Sequence, residues 1–197
     1  MGVGDTQAAF RLAAAGDGIA LSAVAIEGLT DAGHIGLPDQ FEPVAGLLRR
    51  IFRALDGDEA DLSAGTHRLL KPDWFHDPTG TVVEVDEFQH FTTDRLRTLL
   101  AYPDDVALGF DRQQYIDLCR RWRGKADRYR AFKEARGFRR SGGRRAQRAY
   151  FDTVRDLVVP ALGFNPVIRA AAYDDDGAAT YTRMREMMIA LLRGASN

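Results

Sequence analysis

The sequence predicts a mixed α/β (α+β) fold, a layered domain of helices around a mixed sheet. Three observations predict it. Apolar residues recur at helical spacing before and after the middle of the chain, from Phe41 to Leu55 and from Tyr115 onward. Between them, alternating apolar residues mark a hairpin around His76-Asp77-Pro78-Thr79-Gly80. A further apolar run, Pro166 to Tyr173, reads as a strand delivered after a long helix.

In chain order, residues 1–39 are rich in Ala and Gly. They predict a helix near Thr6–Ala15, a short element near Ile19–Leu29 and a loop, together an N-terminal helical extension. Residues 40–197 form the main domain. A helix over Gln40–Leu55 has Asp39 as N-cap and ends at Asp56-Gly57-Asp58. Strands follow over His67–Phe75 and Thr81–Phe88. Thr92-Thr93-Asp94 opens a helix that stops at Pro103, and Val106–Phe110 reads as a short strand. Tyr115, Leu118, Cys119, Trp122, Ala126, Tyr129 and Phe132 form one apolar stripe flanked by arginines. Helices over Arg144–Val159 and Thr180–Leu192 complete the pattern, the first ended by Pro160 and Gly163.

Of 197 residues, 45% are hydrophobic and 28% charged, which suits a folded chain able to bury its own core. One cysteine, Cys119, excludes an internal disulfide and any multi-cysteine zinc site. No apolar run reaches the roughly 18 residues that span a bilayer. Ile19–Ile26 is too short, and too poor in preceding basic residues, for a secretory signal. The expectation is a soluble, cytoplasmic protein without a membrane partner.

The net charge of −1 conceals a strong asymmetry. Arg120–Arg148 holds thirteen basic residues against two acidic ones, so the remainder of the chain carries a net −12. A dense basic block attracts a polyanion by counterion release. Arg120, Arg121, Arg123, Lys125, Arg128, Arg139, Arg140, Arg144, Arg145 and Arg148 are the candidate nucleic-acid contacts. Trp122, Tyr129 and Phe132 could stack on unpaired bases, but their spacing fits a buried stripe better.

The chemistry concentrates in Lys71-Pro72-Asp73-Trp74-Phe75 and Val82-Val83-Glu84-Val85-Asp86-Glu87-Phe88-Gln89-His90. The hairpin brings Asp73 and Glu84 toward one point. Two carboxylates there repel unless a cation lies between them, and oxygen ligands suit Mg²⁺ or Mn²⁺. Glu84 and Asp86 share a strand face because the side-chain period is two. Asp86 could hold water or a second ion, and His90 could serve as acid or base. A zinc set of His76, Glu84 and His90 matches no usual spacing, and His34 and His67 stand alone. Ser141-Gly142-Gly143 lacks the Gly-Lys-Ser/Thr ending of a P-loop. The Asp174-Asp175-Asp176-Gly177 run reads as a solvated turn, and no Gly-x-Ser-x-Gly elbow is present.

These motifs resemble the PD-(D/E)xK nuclease superfamily, in particular the branch related to very-short-patch repair endonucleases. That branch replaces the lysine by aspartate in a Glu-x-Asp-Gly-x-x-His signature. Glu84-Val85-Asp86-Glu87-Phe88-Gln89-His90 is similar, with Glu87 where glycine is usual. Phe151-Asp152-Thr153-Val154-Arg155-Asp156, Gly163 and Pro166-Val167-Ile168-Arg169 are similar to the following helix, glycine and strand. The resemblance implies a restriction-endonuclease-like mixed sheet flanked by helices, with residues about 92–143 as a basic helical insertion. It implies Asp73, Glu84 and the Val85 carbonyl as Mg²⁺ or Mn²⁺ ligands, Asp86 and His90 as further catalytic residues, and Glu42 as a helix-borne acid of the site. The reaction implied is hydrolysis of phosphodiester bonds, in DNA before RNA, and a homodimer would suit cutting of both strands. Two other readings stand beside it: a nucleic-acid binder on the same fold that has lost catalysis, and an interaction module whose basic block docks an acidic protein.

Overall fold

The computed structural model describes residues 4–193. Among them are seven α-helices and a three-stranded sheet, an α+β architecture. The strands are β1 (Trp74–His76), β2 (Thr81–Glu87) and β3 (Ile168–Ala172), in the order β1-β2-β3. The pair β1–β2 is antiparallel, with Trp74 opposite Val83. The pair β2–β3 is parallel, with Glu84 opposite Arg169 and Asp86 opposite Ala171. A parallel neighbour requires a long crossover, and here that crossover holds α4 (Thr93–Leu100), α5 (Arg112–Ala126) and α6 (Gly143–Ala161).

The strand alternation sorts side chains between two cores. Val83, Val85, Ile168 and Ala170 face α1 (Asp5–Gly16) and α7 (Gly177–Arg193), packing with Phe10, Tyr181 and Met188. Val82 and Val167 face the other way, into a larger cluster with Phe52, Phe91, Leu99, Tyr150 and Val154. Glu84, Asp86 and Arg169 lie on that second face of the sheet and are buried. Within the expected N-terminal extension, α1 thus supplies a cover for the sheet, since it packs on α7 and on β2. The stretch 92–143 likewise feeds the larger core through Leu96, Leu99, Tyr102, Ile116 and Phe138.

Several elements differ from the sequence reading. The first strand shrinks to three residues, because Leu69 only bridges Thr30 and the intervening chain is irregular. Ile19–Leu29 is not a regular element; Ser22 bridges Phe75 at the edge of β1. Val106–Phe110 is a packed loop, where a side chain at Gly109 would collide with the Val167 carbonyl. Asp39 opens a short 3-10 turn and does not cap α2 (Glu42–Ala54), whereas Asp58 caps α3 (Glu59–Ser63) through the amides of Ala60 and Asp61. The stripe after Tyr115 stops with α5 at Ala126. Trp122 then stacks on Tyr173, Tyr129 meets the edge of Phe88, and Phe132 is 77% exposed.

Candidate active site

Asp73 precedes β1, and its carboxylate accepts a hydrogen bond from the Val85 amide at 2.8 Å. This bond sets Asp73 beside the middle of β2. A strand residue sends its N–H and C=O to the same edge, so the Val85 carbonyl also faces Asp73. Burial raises the Asp73 carboxyl to about 6, and the nearby Asp86 charge adds to the rise. Glu84 is only 4% exposed, and burial raises its carboxyl to about 8. Arg155 counters that rise and Asp73 reinforces it. The Glu84 Oε1 and Arg155 Nε atoms lie 3.2 Å apart, yet each is buried without a hydrogen bond. Their contact is a charge contact of poor alignment. The pair Asp73–Glu84 is therefore short of positive charge: burial favours the neutral form of Glu84, and a cation placed between the two would favour the ionised one.

Beside it stands a second cluster with the opposite character. Asp86, His90 and Asp152 place their ligand atoms within 4.8 Å of one another. His90 Nδ1 lies 2.9 Å from Asp152 and 3.3 Å from Asp86. Burial alone would raise the Asp152 carboxyl, but His90 and Arg169 outweigh it and hold the group well below its ordinary range. Arg169 donates to both oxygens of Asp86 and to the Asp152 carbonyl. That guanidinium already supplies the positive charge a metal would bring. A cation added there would face a buried like charge.

Helix α6 forms the wall of the site. Arg144, Arg148, Asp152 and Arg155 follow at intervals of four, four and three, which is one helix face. The helix begins at Gly142-Gly143; a Cβ at Gly143 would overlap the Phe138 carbonyl, so the chain turns there at the closest approach it can make. Arg144 is exposed and bonds Gln147. Arg148 is half-buried, and its guanidinium donates to the Gln89 carbonyl at 3.0 Å. Together these residues enclose a cavity of about 180 Å³. Glu84 and Asp152 are its buried lining residues, Asp73, Arg148 and Arg155 are half-buried, and Arg144 is exposed. A cavity of about 310 Å³ between α5, β3 and α7 is lined mainly by apolar groups such as Phe110, Leu118, Tyr173 and Met184, without such an acid pair.

The structure brings together Asp73, Glu84, His90, Arg144 and Arg148 in one cavity. Asp86 lies behind it, committed to Arg169. Glu42 is not brought there. It sits exposed on the first turn of α2 and pairs with Arg49 at 3.3 Å. The basic block is divided. Arg120, Arg139, Arg140 and Arg145 each have a carboxylate partner, whereas Arg121, Arg123, Lys125 and Arg128 have none among the described residues. Lys125 lies over the Phe88 ring at 3.8 Å, and Phe88 opens the 3-10 turn after β2 that carries His90. Asp152 and Arg155 were visible in the sequence as motif residues of a core helix, not as lining of the site. Phe151 belongs to the same motif, and Gln7, which also lines the cavity, gave no signal.

No protein-family model, curated protein or solved structure matches this chain. The functional reading rests on the cavity itself. No helix is long and apolar enough to cross a membrane among the described residues.

Proposed function

We propose that this chain is a metal-dependent phosphodiesterase that cleaves nucleic acid, DNA in preference to RNA, on a restriction-endonuclease-like fold in the cytoplasm. One observation carries the proposal: a carboxyl pair short of positive charge, Asp73 and Glu84, lines the same cavity as Arg144, Arg148 and Arg155. A divalent cation and a phosphate are the two charges that such a polarised cavity complements.

The residues present fit Mg²⁺ or Mn²⁺. The donors are hard oxygens from Asp73, Glu84 and the Val85 carbonyl, and Glu84 Oε1 is a buried acceptor without a hydrogen bond. When bound, the ion would polarise a phosphoryl oxygen and lower the pKa of a bound water. Arg148 holds a non-bridging oxygen of the scissile phosphate. With a cation held by Glu84, Arg155 would be free to turn from Glu84 to the phosphate. Hydrolysis adds water to phosphorus and breaks the bond to the leaving oxygen, which then needs a proton. His90 in its protonated form supplies it from Nε2, because Asp152 holds Nδ1, and the proton shed by the attacking water passes to solvent. Asp86 orients this assembly through Arg169 and does not touch the substrate. Glu87 is no obstacle, because its backbone is extended at φ −66° and needs no glycine.

A second reading, binding without cleavage, is favoured by the 3.2 Å approach of Arg155 to Glu84, where a guanidinium stands in for the cation. One experiment separates the two. Purified protein and its Glu84→Ala variant are incubated with plasmid, linear duplex and single-stranded DNA and with RNA, in Mg²⁺, Mn²⁺ or EDTA. Cleavage that requires metal and disappears with Glu84→Ala is the expected result. A salt-sensitive gel shift without cleavage selects the binding-only reading. Absence of both overturns the nucleic-acid assignment and leaves the docking of an acidic protein.

A further inference from the structure

The site cavity does not end at Arg144. A second cavity of about 500 Å³ shares Arg144, Phe151 and Arg155 with it and runs on toward Arg68 and Arg136. One wall of this cleft is α6 and the other is the segment Thr66–Leu70. That segment is irregular, yet it is firmly held. Arg136 pairs with Asp31 at 2.7 Å and donates to the Thr66 carbonyl at 3.0 Å. Asp31 in turn accepts the Arg68 amide at 2.8 Å, and its own amide donates to the Arg68 carbonyl at 2.9 Å. The Arg68 backbone is pinned, while its side chain is exposed and has no carboxylate partner among the described residues. Across the cleft Arg144 is likewise exposed without a carboxylate partner. Nothing in the local packing consumes these two charges.

We propose that this cleft is the binding track for a single nucleic-acid strand, with Arg68 and Arg144 gripping the phosphate next to the scissile one from opposite walls. The inference rests on the nuclease reading and names the substrate class within it. A backbone in a duplex offers its outer side to a protein, because its inner side faces the partner strand. Cations on both walls of a cleft suit a backbone that is free on both sides. The recessed acid pair points the same way: Glu84 is 4% exposed, so the strand must enter the cavity for its phosphate to arrive there. The bases of such a strand face out of the cleft and are not read. The basic block accounts for only one wall of the cleft; Arg68 lies far from it in the sequence.

The test uses binding, so cleavage cannot mask it. The Glu84→Gln protein is titrated with labelled strands of about twelve nucleotides, as single-stranded DNA, single-stranded RNA and blunt duplex DNA, over a salt series. The expected result is single-strand binding at least about tenfold tighter than duplex binding. Replacing Arg68 by Ala then weakens single-strand binding and reduces the slope of log affinity against log salt by about 0.7, the contribution of one phosphate contact on a single strand. Arg68→Lys keeps the slope, because it keeps the charge. Circular dichroism checks that each variant folds. Equal affinity for duplex, or an unchanged slope in Arg68→Ala, overturns the inference and leaves the nuclease reading standing. No affinity for any of the three probes overturns both.

Discussion

Arg169 meets both oxygens of Asp86 from a single nitrogen, Nη1, at 2.9 Å each, and neither side chain is more than 1% exposed. The same guanidinium donates through Nε to Asp156 at 2.7 Å, and Asp156 also accepts from Arg95 and from the Tyr102 hydroxyl. One buried network thus ties β2, β3, α4 and α6 together behind the site. Breaking a buried pair leaves the other charge without a counterion, which costs about 3–5 kcal/mol. Asp86→Asn is expected to lower stability by that order in urea or guanidinium unfolding. A loss within about 0.5 kcal/mol, the usual range of a surface substitution, would mean that Asp86 is not held as described.

Glu42 offers the contrasting case. Its carboxylate is 64% exposed and reaches only Arg49. Such a surface pair contributes about 0–1 kcal/mol. Glu42→Gln should leave both metal-dependent cleavage and thermal stability close to those of the parent protein. Loss of cleavage with the fold intact would return Glu42 to the site.

The buried histidine His34 sets a pH dependence. Its Nδ1 lies 2.7 Å from the Tyr150 hydroxyl, and burial lowers its pKa from 6.5. Below pH 6.5 the unfolded chain takes up a proton there while the folded chain does not, so unfolding gains. Stability from this group is complete above pH 6.5 and declines as pH falls toward the depressed folded value. In an NMR titration the His34 ring should stay neutral at pH 6.5, and unfolding free energy should fall below that pH. A normal titration of the ring would contradict its burial against Tyr150 and Phe52.

Cys119 lies in the larger core, fully buried, and burial raises its thiol to about 12. The thiolate is the reactive form. A disulfide reagent should label Cys119 only in denaturant, and labelling of the native protein at neutral pH would show that α5 opens.

Much of the site was legible because a strand repeats every two residues. Alternation put Glu84 and Asp86 on one face of the strand, opposite Val83 and Val85; that this face is also buried is given by the packing of the larger core against it. What they were partnered by was not legible. Arg169 is 83 residues from Asp86, and the register of β3 on β2 brings them together. The α6 wall was legible only in part: Arg144 and Arg148 were marked by the basic block, whereas Asp152 and Arg155 sit among residues whose spacing also marks a core helix, and both readings are true of different faces. Phe132 was misplaced because a helical period persists in the sequence past Ala126, where the hydrogen bonding of α5 stops. The α+β class survived these local errors, since it depends on the hairpin, the long helix and the last strand.

The helices α1 and α7 stand at opposite ends of the chain and cover one sheet face between them. During synthesis Val83 and Val85 emerge long before Tyr181 and Met188, which complete their core. At ribosomal rates of about 5–20 residues per second, that interval lasts several seconds. The nascent chain therefore holds an apolar strand face covered only by α1 until α7 arrives. A chaperone that shields extended apolar segments would find its target in the middle of this sequence, and a chain released early would present that face to its neighbours.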